Sequence, residues 1–183
     1  MIWFTADTHL GHHNIIGYCN RPFKTTEEMD NTITERWNKV VKPEDTVIVL
    51  GDVAFKNTTL MKIKALNGIK WLIRGNHDRG FSDTKFKNVG FEMIFKRPHQ
   101  FVPIEERPLF INCAHAPLPE NFKMGAINLC GHVHDKWLTR NNFLNVGVDQ
   151  WNFTPISFDQ VYTTYVKEYP ELSLRRTLNR SFY

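Results

Sequence analysis

Residues 1–9 read Met-Ile-Trp-Phe-Thr-Ala-Asp-Thr-His, an apolar run that ends in polar side chains. Residues 2–6 have the length and composition of a buried β-strand, because Ile, Trp, Phe and Thr favour strands. Asp7 and His9 follow at the point where the chain leaves the predicted strand. Side chains two positions apart in extended backbone point to the same side. We therefore expect Asp7 and His9 to face one cavity.

The same pattern of an apolar run followed by polar residues recurs along the chain. Further strands are predicted at residues 46–50, 70–73, 109–114, 126–130 and 144–148. Several of these runs are almost continuously apolar, as strands covered on both faces are. The polar clusters that follow them are Gly51-Asp52, Gly75-Asn76-His77-Asp78, Ala114-His115 and Gly131-His132-Val133-His134. Ligand sites lie beyond the strand ends of open sheets, so we expect these clusters to converge.

Helical patterns separate the first strands. Apolar residues recur at helical spacing over residues 25–41, where Thr25 and Glu28 fit a capping box. Residues 58–66 form a second short helix, and residues 158–166 are compatible with a helix or a strand. Strands that first alternate with helices and then follow one another predict an α/β fold, a mixed sheet with helices on its faces.

Composition limits the class of protein. A chain of 183 residues with 42% hydrophobic and 23% charged residues is typical of one globular domain, with a peripheral tail from about residue 168. No apolar run reaches the roughly 20 residues that cross a bilayer, and the start lacks a basic segment typical of signal peptides. The three cysteines, at positions 19, 113 and 130, form no CxxC pair. We predict a cytoplasmic protein with no membrane partner.

The net charge of +4 favours anionic partners such as nucleotides or nucleic acid. Much of the excess comes from Arg175, Arg176 and Arg180 near the end of the chain. Nucleic-acid binding by this tail is one hypothesis, and a solvated chain end explains the charge equally well.

The polar clusters together indicate a metal site. His, Asp and Asn suit divalent ions such as Mn, Fe or Zn. Each cluster alone has an ordinary explanation, because Gly-Asp is a common turn and a single His-x-His is often a solvated loop. Their occurrence in order, each after an apolar run, favours the metal site. Glycines 51, 75 and 131 stand where the backbone turns and approaches a ligand closely.

This order of motifs resembles the calcineurin-like metallophosphoesterase superfamily. The match runs from Asp7-Thr8-His9 to Gly131-His132-Val133-His134, with every core motif present. Residues 11–16, Arg21-Pro22-Phe23 and Asn145-Val146-Gly147-Val148-Asp149 are similar to small bacterial and phage members. The resemblance implies a four-layer α/β/β/α sandwich with mixed β-sheets and a site for two divalent metal ions. Mn is the first expectation, and Fe, Zn and Ni are compatible with the same ligands.

The resemblance also implies how the ligands are divided, with Asp52 bridging both ions. One ion would be held by Asp7, His9, Asp52 and His134, and the other by Asp52, Asn76, His115 and His132. In such sites a hydroxide between the ions attacks phosphorus, and the cations neutralise the phosphoryl oxygens. The expected activity is hydrolysis of a phosphodiester or nucleotide-type phosphate ester.

Other residues around these motifs have candidate roles. The resemblance makes His77 the group that contacts the phosphoryl oxygen and protonates the leaving oxygen. Asp78 then orients an imidazole, or it caps a loop. Arg74 and Arg79 clamp phosphate, although Arg74 is equally compatible with a structural role.

The segment His12-His13-Asn14 binds a second phosphate or a leaving group, or simply packs in a loop. His99 lies far from every motif and is predicted to be a surface histidine. The aromatic residues in Trp151-Asn152-Phe153 stack on a base or belong to the core.

The intervals between motifs bear on the substrate. The segment between Asp78 and His115 is short, and no cap domain follows His134. An open site favours a small phosphate ester, a nucleotide or a nucleic-acid end over a folded phosphoprotein. The segment Gly51-Asp52-Val53-Ala54-Phe55 also lacks the acidic and Arg residues that follow Gly-Asp in protein phosphatases of the superfamily. Two alternatives remain: a binding scaffold on the same fold with structural or absent metals, and a nucleic-acid-binding protein.

Overall fold

Two five-stranded β-sheets, flanked by helices, form the centre of the molecule in the computed structural model, which describes residues 1–101, 110–119 and 127–170. The strands are β1 Ile2–Thr5, β2 Thr46–Val49, β3 Ile69–Ile73, β4 Phe91–Phe95, β5 His99–Phe101, β6 Ile111–Cys113, β7 Ile127–Cys130, β8 Thr139–Arg140, β9 Phe143–Asn145 and β10 Ile156–Ser157. The helices are α1 His13–Tyr18, α2 Thr26–Val40, α3 Asn57–Leu60, α4 Asp83–Asn88 and α5 Phe158–Glu168. Short 3-10 helices cover Met61–Ala65, His77–Gly80 and Val148–Gln150.

Both sheets are mixed. The first has the order β10-β1-β2-β3-β4, in which β1 to β4 are parallel and β10 is antiparallel to β1. The second has the order β5-β6-β7-β9-β8, with β6, β7 and β9 parallel and an antiparallel strand at each edge. This arrangement confirms the predicted α/β fold of mixed sheets with flanking helices. The carboxyl ends of β1, β2, β3, β6 and β7 carry the loops of interest.

The core divides into two buried clusters because side chains alternate along each strand. In β1 and β2, Trp3 and Val47 belong to a cluster that also contains Ile33 and Trp37 of α2. The next residues along β1 and β2, which are Phe4 and Ile48, belong to the second cluster. That cluster also contains Ile111 of β6, Leu129 of β7 and Leu144 of β9. Apolar residues in consecutive positions thus cover both faces of the first sheet, as their continuous runs predict.

The helix termini refine the sequence predictions. Thr25 is the N-cap of α2, and its hydroxyl accepts a hydrogen bond from the Glu28 amide at 3.1 Å. The Glu28 carboxylate accepts from the Lys24 amide instead of from Thr25, so the predicted capping box is shifted by one residue. Residues 158–168 form a helix and not a strand, because Ser157 and Gln160 complete a capping box at its start.

The sequence analysis did not predict several elements, namely α1, α4, β4, β5, β8 and β10. Most are short, and short elements carry little periodic signal. Residues 109 and 126, at the starts of two predicted strands, lie outside the described part of the chain, as do Arg175, Arg176 and Arg180. Among the described residues, no helix has the length and apolar character needed to span a membrane.

Candidate metal centre

Loops from both sheets meet at one end of the molecule, where backbone hydrogen bonds join them. The Asp7 amide donates to the Gly51 carbonyl at 3.0 Å, and the His9 amide donates to the Asp52 carbonyl at 3.0 Å. The Gly131 amide donates to the His115 carbonyl at 2.9 Å. These bonds join the loop after β1 to the loop after β2, and the loop after β6 to the loop after β7. The two pairs of loops are connected by the His132 amide, which donates to Asp7 Oδ2 at 2.8 Å.

The side chains converge through left-handed backbone, not through strand alternation. Asp7 and His9 have φ angles of 59° and 48°, and His132 and His134 have φ angles of 70° and 49°. The prediction that Asp7 and His9 share a direction because they are extended is therefore wrong. β1 ends at Thr5, Ala6 still forms a parallel β-bridge with Gly147, and the chain leaves the extended conformation at Asp7. With Asp52 at φ 55°, five of the predicted ligands adopt a conformation that costs on the order of 1–3 kcal/mol per residue.

One group of candidate ligands consists of Asp7, His9 and His134, whose donor atoms all lie within 4.8 Å of one another. Asp7 Oδ1 and His9 Nε2 are buried and have no hydrogen-bond partner in the described part of the chain. A buried polar atom without a partner is costly and rare in proteins. A cation bound in this group would satisfy both atoms, so the donor set fits a metal ion.

A second group consists of Asp52, His115 and His132, again with donor atoms within 4.8 Å of one another. His115 Nδ1 lies 2.8 Å from the Leu50 carbonyl oxygen, which orients the ring and directs Nε2 into the group. His115 Nε2 lies 2.9 Å from Asn76 Oδ1 and 3.2 Å from His132 Nδ1. Asn76, the asparagine of the Gly-Asn-His-Asp motif, therefore lies next to this group.

Asp52 lies between the two groups. Its Oδ2 atom is 3.5 Å from His9 Nε2 in the first group and 3.4 Å from His115 Nε2 in the second. Its Oδ1 atom accepts a hydrogen bond from the His77 amide at 2.9 Å. This is the position that a carboxylate shared by two cations would need.

Burial and charge shift the pKa values of these groups in the absence of a cation. Burial raises the pKa of Asp7 to about 6 and lowers the pKa of His9 to about 2. Burial would lower the pKa of His115, but its contact with Asp52 and the charge of Asp7 outweigh that effect and raise it to about 9. Burial would raise the pKa of Asp52, but its hydrogen bond with His115 and the charges of His115 and His9 together outweigh burial and hold that pKa below its usual range. A bound cation would compete with a proton at His115.

Two glycines make room for the candidate ligands. A Cβ atom at Gly75 would stand 2.1 Å from Asp52 Oδ1, and one at Gly131 would stand 2.5 Å from Asp7 Oδ2. Both distances are far below van der Waals contact. The carboxylates of Asp7 and Asp52 therefore reach their places only because these two positions lack side chains.

His77 and His12 lie beside the first ligand group. The exposed His77 ring has its centroid 5.2 Å from that of His9 and 6.0 Å from that of His12. His12 is buried, its Nδ1 is 3.3 Å from His9 Nδ1, and its ring is stacked on Phe55. His13 and Asn14 are exposed in the first turn of α1. Of the segment His12-His13-Asn14, His12 is the residue that the structure brings into contact with a candidate ligand.

Asp78 lies where three backbone amides can bind its carboxylate, which separates the two roles that the sequence left open. Its carboxylate accepts hydrogen bonds from the backbone amides of Asp52 at 2.9 Å, Val53 at 3.0 Å and Gly75 at 2.8 Å. Within the described residues it forms no hydrogen bond to an imidazole. The structure thus favours the loop-capping alternative, in which Asp78 joins the loop that carries Asp52 to the loop that carries Gly75.

Arg74 also serves the structure of this loop. Its guanidinium donates to Asp83 Oδ1 at 2.6 Å, to the Asp78 carbonyl at 2.5 Å and to the Phe81 carbonyl. These contacts engage both terminal nitrogens of Arg74 and favour the structural alternative over the phosphate clamp. Arg79 is exposed.

The remaining sequence hypotheses concern residues outside the ligand groups. Phe153 is buried in the core, and Trp151 Nε1 donates to the Asn145 carbonyl at 2.8 Å. The core alternative thus holds for Phe153, and the half-buried Trp151 packs against the second core cluster. His99 is exposed on β5, as expected, and its ring stacks on Phe95 at a centroid distance of 4.0 Å.

Sequence reasoning assigned no role to a buried ion pair behind the first ligand group. Asp149 Oδ2 lies 3.3 Å from His134 Nδ1 and accepts a hydrogen bond from Arg21 at 2.9 Å. Asn145 Nδ2 donates to the His134 carbonyl at 2.8 Å. Asp149 follows the apolar run 144–148 just as the recognised ligands follow theirs, so its position in the sequence could have identified it, whereas Asn145 lies inside that run. The position of Arg21 in the sequence says less about a role in the site, because Arg21 lies in the turn between α1 and α2 and follows no predicted strand.

Comparison with known proteins supports these observations. A model of the family described as calcineurin-like phosphoesterase matches residues 1–155. The uncharacterized protein MJ1445 of Methanocaldococcus jannaschii is 33% identical over 189 aligned positions, which cover 97% of this chain and 96% of that protein. The Gene 66 protein of Mycobacterium phage L5 is 28% identical, with 87% of this chain and 91% of that protein covered. The crystal structure of AQ665 from Aquifex aeolicus has a TM-score of 0.68 and 28% identity, with 90% of this chain and 98% of that one covered.

Proposed function

Because this chain belongs to the calcineurin-like phosphoesterase family, we propose that it hydrolyses phosphodiester or nucleotide-type phosphate esters with the help of two divalent metal ions. The single observation that carries this proposal is the position of Asp52. One of its oxygens is 3.5 Å from a histidine of one ligand group and 3.4 Å from a histidine of the other. An isolated metal site does not need a carboxylate in that place, whereas a two-metal site does.

The chemistry of the donors supports the choice of metal. Asp7, His9 and His134 would hold one ion, and His115, His132 and Asn76 the other, with Asp52 shared. All these donors are oxygen or nitrogen atoms, which suit Mn, Fe, Zn or Ni, and we propose Mn as the first candidate. When bound, a pair of such ions supplies an activated water and neutralises charge on the phosphoryl group.

The residues of the chain itself orient the ester and move a proton. His77 is exposed beside the first ligand group, and its backbone amide is anchored on Asp52 Oδ1 at 2.9 Å. This anchor holds the imidazole at the mouth of the site, where it can donate a hydrogen bond to the leaving oxygen. An imidazole is suited to that role because its ordinary pKa lies near neutrality. Asp78 positions Asp52 and His77 through the loop that it caps, and does not touch the ester.

A test uses the purified protein loaded with Mn²⁺ and a panel of diesters, cyclic nucleotides, mononucleotides and nucleic-acid ends. We expect hydrolysis that is abolished by a chelator and restored by Mn²⁺. His77→Ala should lower kcat by about 10²–10⁴-fold, which is the usual contribution of a general acid, while its metal content stays that of the wild type. His99→Ala is the matched control, because His99 is an exposed histidine on β5.

The same assays distinguish a two-metal phosphoesterase from a binding scaffold and from a nucleic-acid-binding protein. Hydrolysis that persists at full rate after metal removal would refute the two-metal proposal, and an unchanged rate in His77→Ala would remove that residue from the mechanism. A binding scaffold predicts no turnover with fully loaded protein. A nucleic-acid-binding protein predicts no turnover and binding of nucleic acid that is unchanged in Asp52→Asn.

A further inference from the structure

Two exposed aromatic rings flank the histidine that borders the candidate site. Phe55 is 48% exposed and Tyr18 is 72% exposed. The Phe55 ring is stacked on His12, with ring centroids 4.1 Å apart and planes inclined by 4°. The Tyr18 ring meets the same imidazole edge-on, with centroids 6.4 Å apart. We call the surface formed by Tyr18, His12 and Phe55 the aromatic shelf.

The aromatic shelf adjoins the place where the leaving group would lie. The centroid of the Phe55 ring is 6.2 Å from that of His77, the group proposed to serve the leaving oxygen. His12 in turn contacts His9 of the first ligand group through their Nδ1 atoms, 3.3 Å apart. A planar group attached to an ester at His77 is therefore within reach of the Phe55 ring.

The shelf is held in place by backbone contacts. The Phe55 amide donates to the Leu10 carbonyl at 2.9 Å, and Leu10 forms a β-bridge with Ala54. The His12 amide donates to the His9 carbonyl at 3.0 Å, which fixes the imidazole on which Phe55 stacks. Little conformational freedom is then lost when a flat ligand binds there, which favours binding.

The small size of the aromatic shelf favours a small planar ligand over a protein partner. One face of the Phe55 ring is covered by His12, and nearly half of its surface is open to solvent. Two rings can receive one planar group, whereas a stable contact with another protein buries about 800 Å² on each partner. Aromatic side chains can stack on any of the nucleobases, because every base has a π-face. A single nucleobase matches both the shape and the extent of this surface.

We propose that the aromatic shelf is a subsite for the nucleobase of the leaving nucleoside, so that the substrates of this site are esters of nucleosides. This proposal rests on the proposed phosphoesterase function and specifies its substrate class. Phe55 and Tyr18 act as specificity-determining residues and take no part in proton transfer.

The test compares two dinucleotides that differ in one feature. In one the leaving nucleoside is thymidine, and in the other the same sugar lacks its base. We expect the Mn²⁺-loaded protein to favour the first in kcat/KM by about tenfold, the effect of a single stacked base, with most of the difference in KM. Phe55→Leu keeps an apolar side chain but removes the ring, and should bring the ratio of the two kcat/KM values close to one. Met93→Ala is the control for loss of exposed apolar surface and should leave the ratio unchanged.

A binding measurement distinguishes failure of the phosphoesterase proposal from failure of the nucleobase-subsite proposal. Calorimetric titration of the Mn²⁺-loaded protein with thymidine 5′-monophosphate should show about tenfold weaker binding to Phe55→Leu than to the wild type. If neither dinucleotide is hydrolysed but this difference in affinity is found, the proposed function fails and the shelf stands. If both dinucleotides are hydrolysed equally and Phe55→Leu binds the nucleotide normally, the function stands and the shelf proposal is overturned. Self-association that Phe55→Leu abolishes, with an unchanged ratio, would likewise overturn it.

Discussion

Arg21 and Asp149, which are 128 positions apart in the chain, form a buried ion pair with two parallel contacts. Arg21 Nε lies 2.8 Å from Asp149 Oδ1, and Arg21 Nη2 lies 2.9 Å from Asp149 Oδ2. The same guanidinium donates to the Asp7 carbonyl at 2.8 Å, and Asp149 Oδ2 lies 3.3 Å from His134 Nδ1. The pair thus connects the backbone of one candidate ligand to the side chain of another.

Asp149→Asn should weaken metal binding by about 10–100-fold, the usual effect of removing a carboxylate that orients a ligating histidine. The substitution preserves shape but removes the charge that orients His134 and balances Arg21. Titration of the metal-free protein with Mn²⁺ by calorimetry measures the effect. Asp135→Asn is the matched control, because Asp135 is exposed and next to His134 in sequence. Equal Mn²⁺ affinity in wild type and Asp149→Asn would show that His134 needs no such support.

Gly75→Ala should abolish metal binding. The added Cβ would stand 2.1 Å from Asp52 Oδ1, so the carboxylate between the two ligand groups must move. The comparison is Gly80→Ala in the same loop, where a Cβ meets nothing within 4 Å. Metal content per chain, measured by elemental analysis after loading and desalting, should fall for Gly75→Ala only. Normal content in both variants would contradict the close-approach argument.

The stability of the metal-free protein should depend on pH through His115. The pKa of His115 is raised from 6.5 to about 9, because Asp52 and Asp7 outweigh burial. Protonation of this group therefore stabilises the folded chain fully below pH 6.5, and the contribution is lost as the pH rises through 9. We expect Tm of the metal-free protein to fall between these pH values, and the fall to be absent in His115→Asn.

With Mn²⁺ present the pH dependence should reverse, because the cation must displace the His115 proton and its affinity rises with pH. Thermal denaturation monitored by circular dichroism, with and without Mn²⁺, measures both trends. Parallel pH profiles for the wild type and His115→Asn would contradict this assignment.

Arg74→Lys should lower the free energy of unfolding by about 1–3 kcal/mol, because the ammonium group cannot make the three separate contacts of the guanidinium. Arg79→Lys should change it by less than about 0.5 kcal/mol, as expected for an exposed side chain. Urea denaturation of both variants provides the comparison. A large rise in KM for a phosphate ester in Arg74→Lys, with unchanged stability, would instead restore the phosphate-clamp hypothesis.

The local pattern of the sequence was sufficient for the strands that carry the site and for the N-cap of α2. Apolar runs of four or five residues mark β1, β2, β3 and β7, and Thr25 caps its helix through an amide three residues away. The candidate ligand set follows from the same local information, because each polar cluster stands directly after such a run. The aromatic shelf could not be predicted in this way, since the exposure of Phe55 depends on what packs around it.

The sequence by itself determined which residues stand at the strand ends, because that depends only on order along the chain. The tertiary structure alone decided how they face one another. Asp7 and His9 converge through left-handed backbone and not through strand alternation, and a conformation that costs free energy persists only when surrounding contacts enforce it. Arg21 and Asp149 meet only after the chain has folded, so no local pattern carries their partnership.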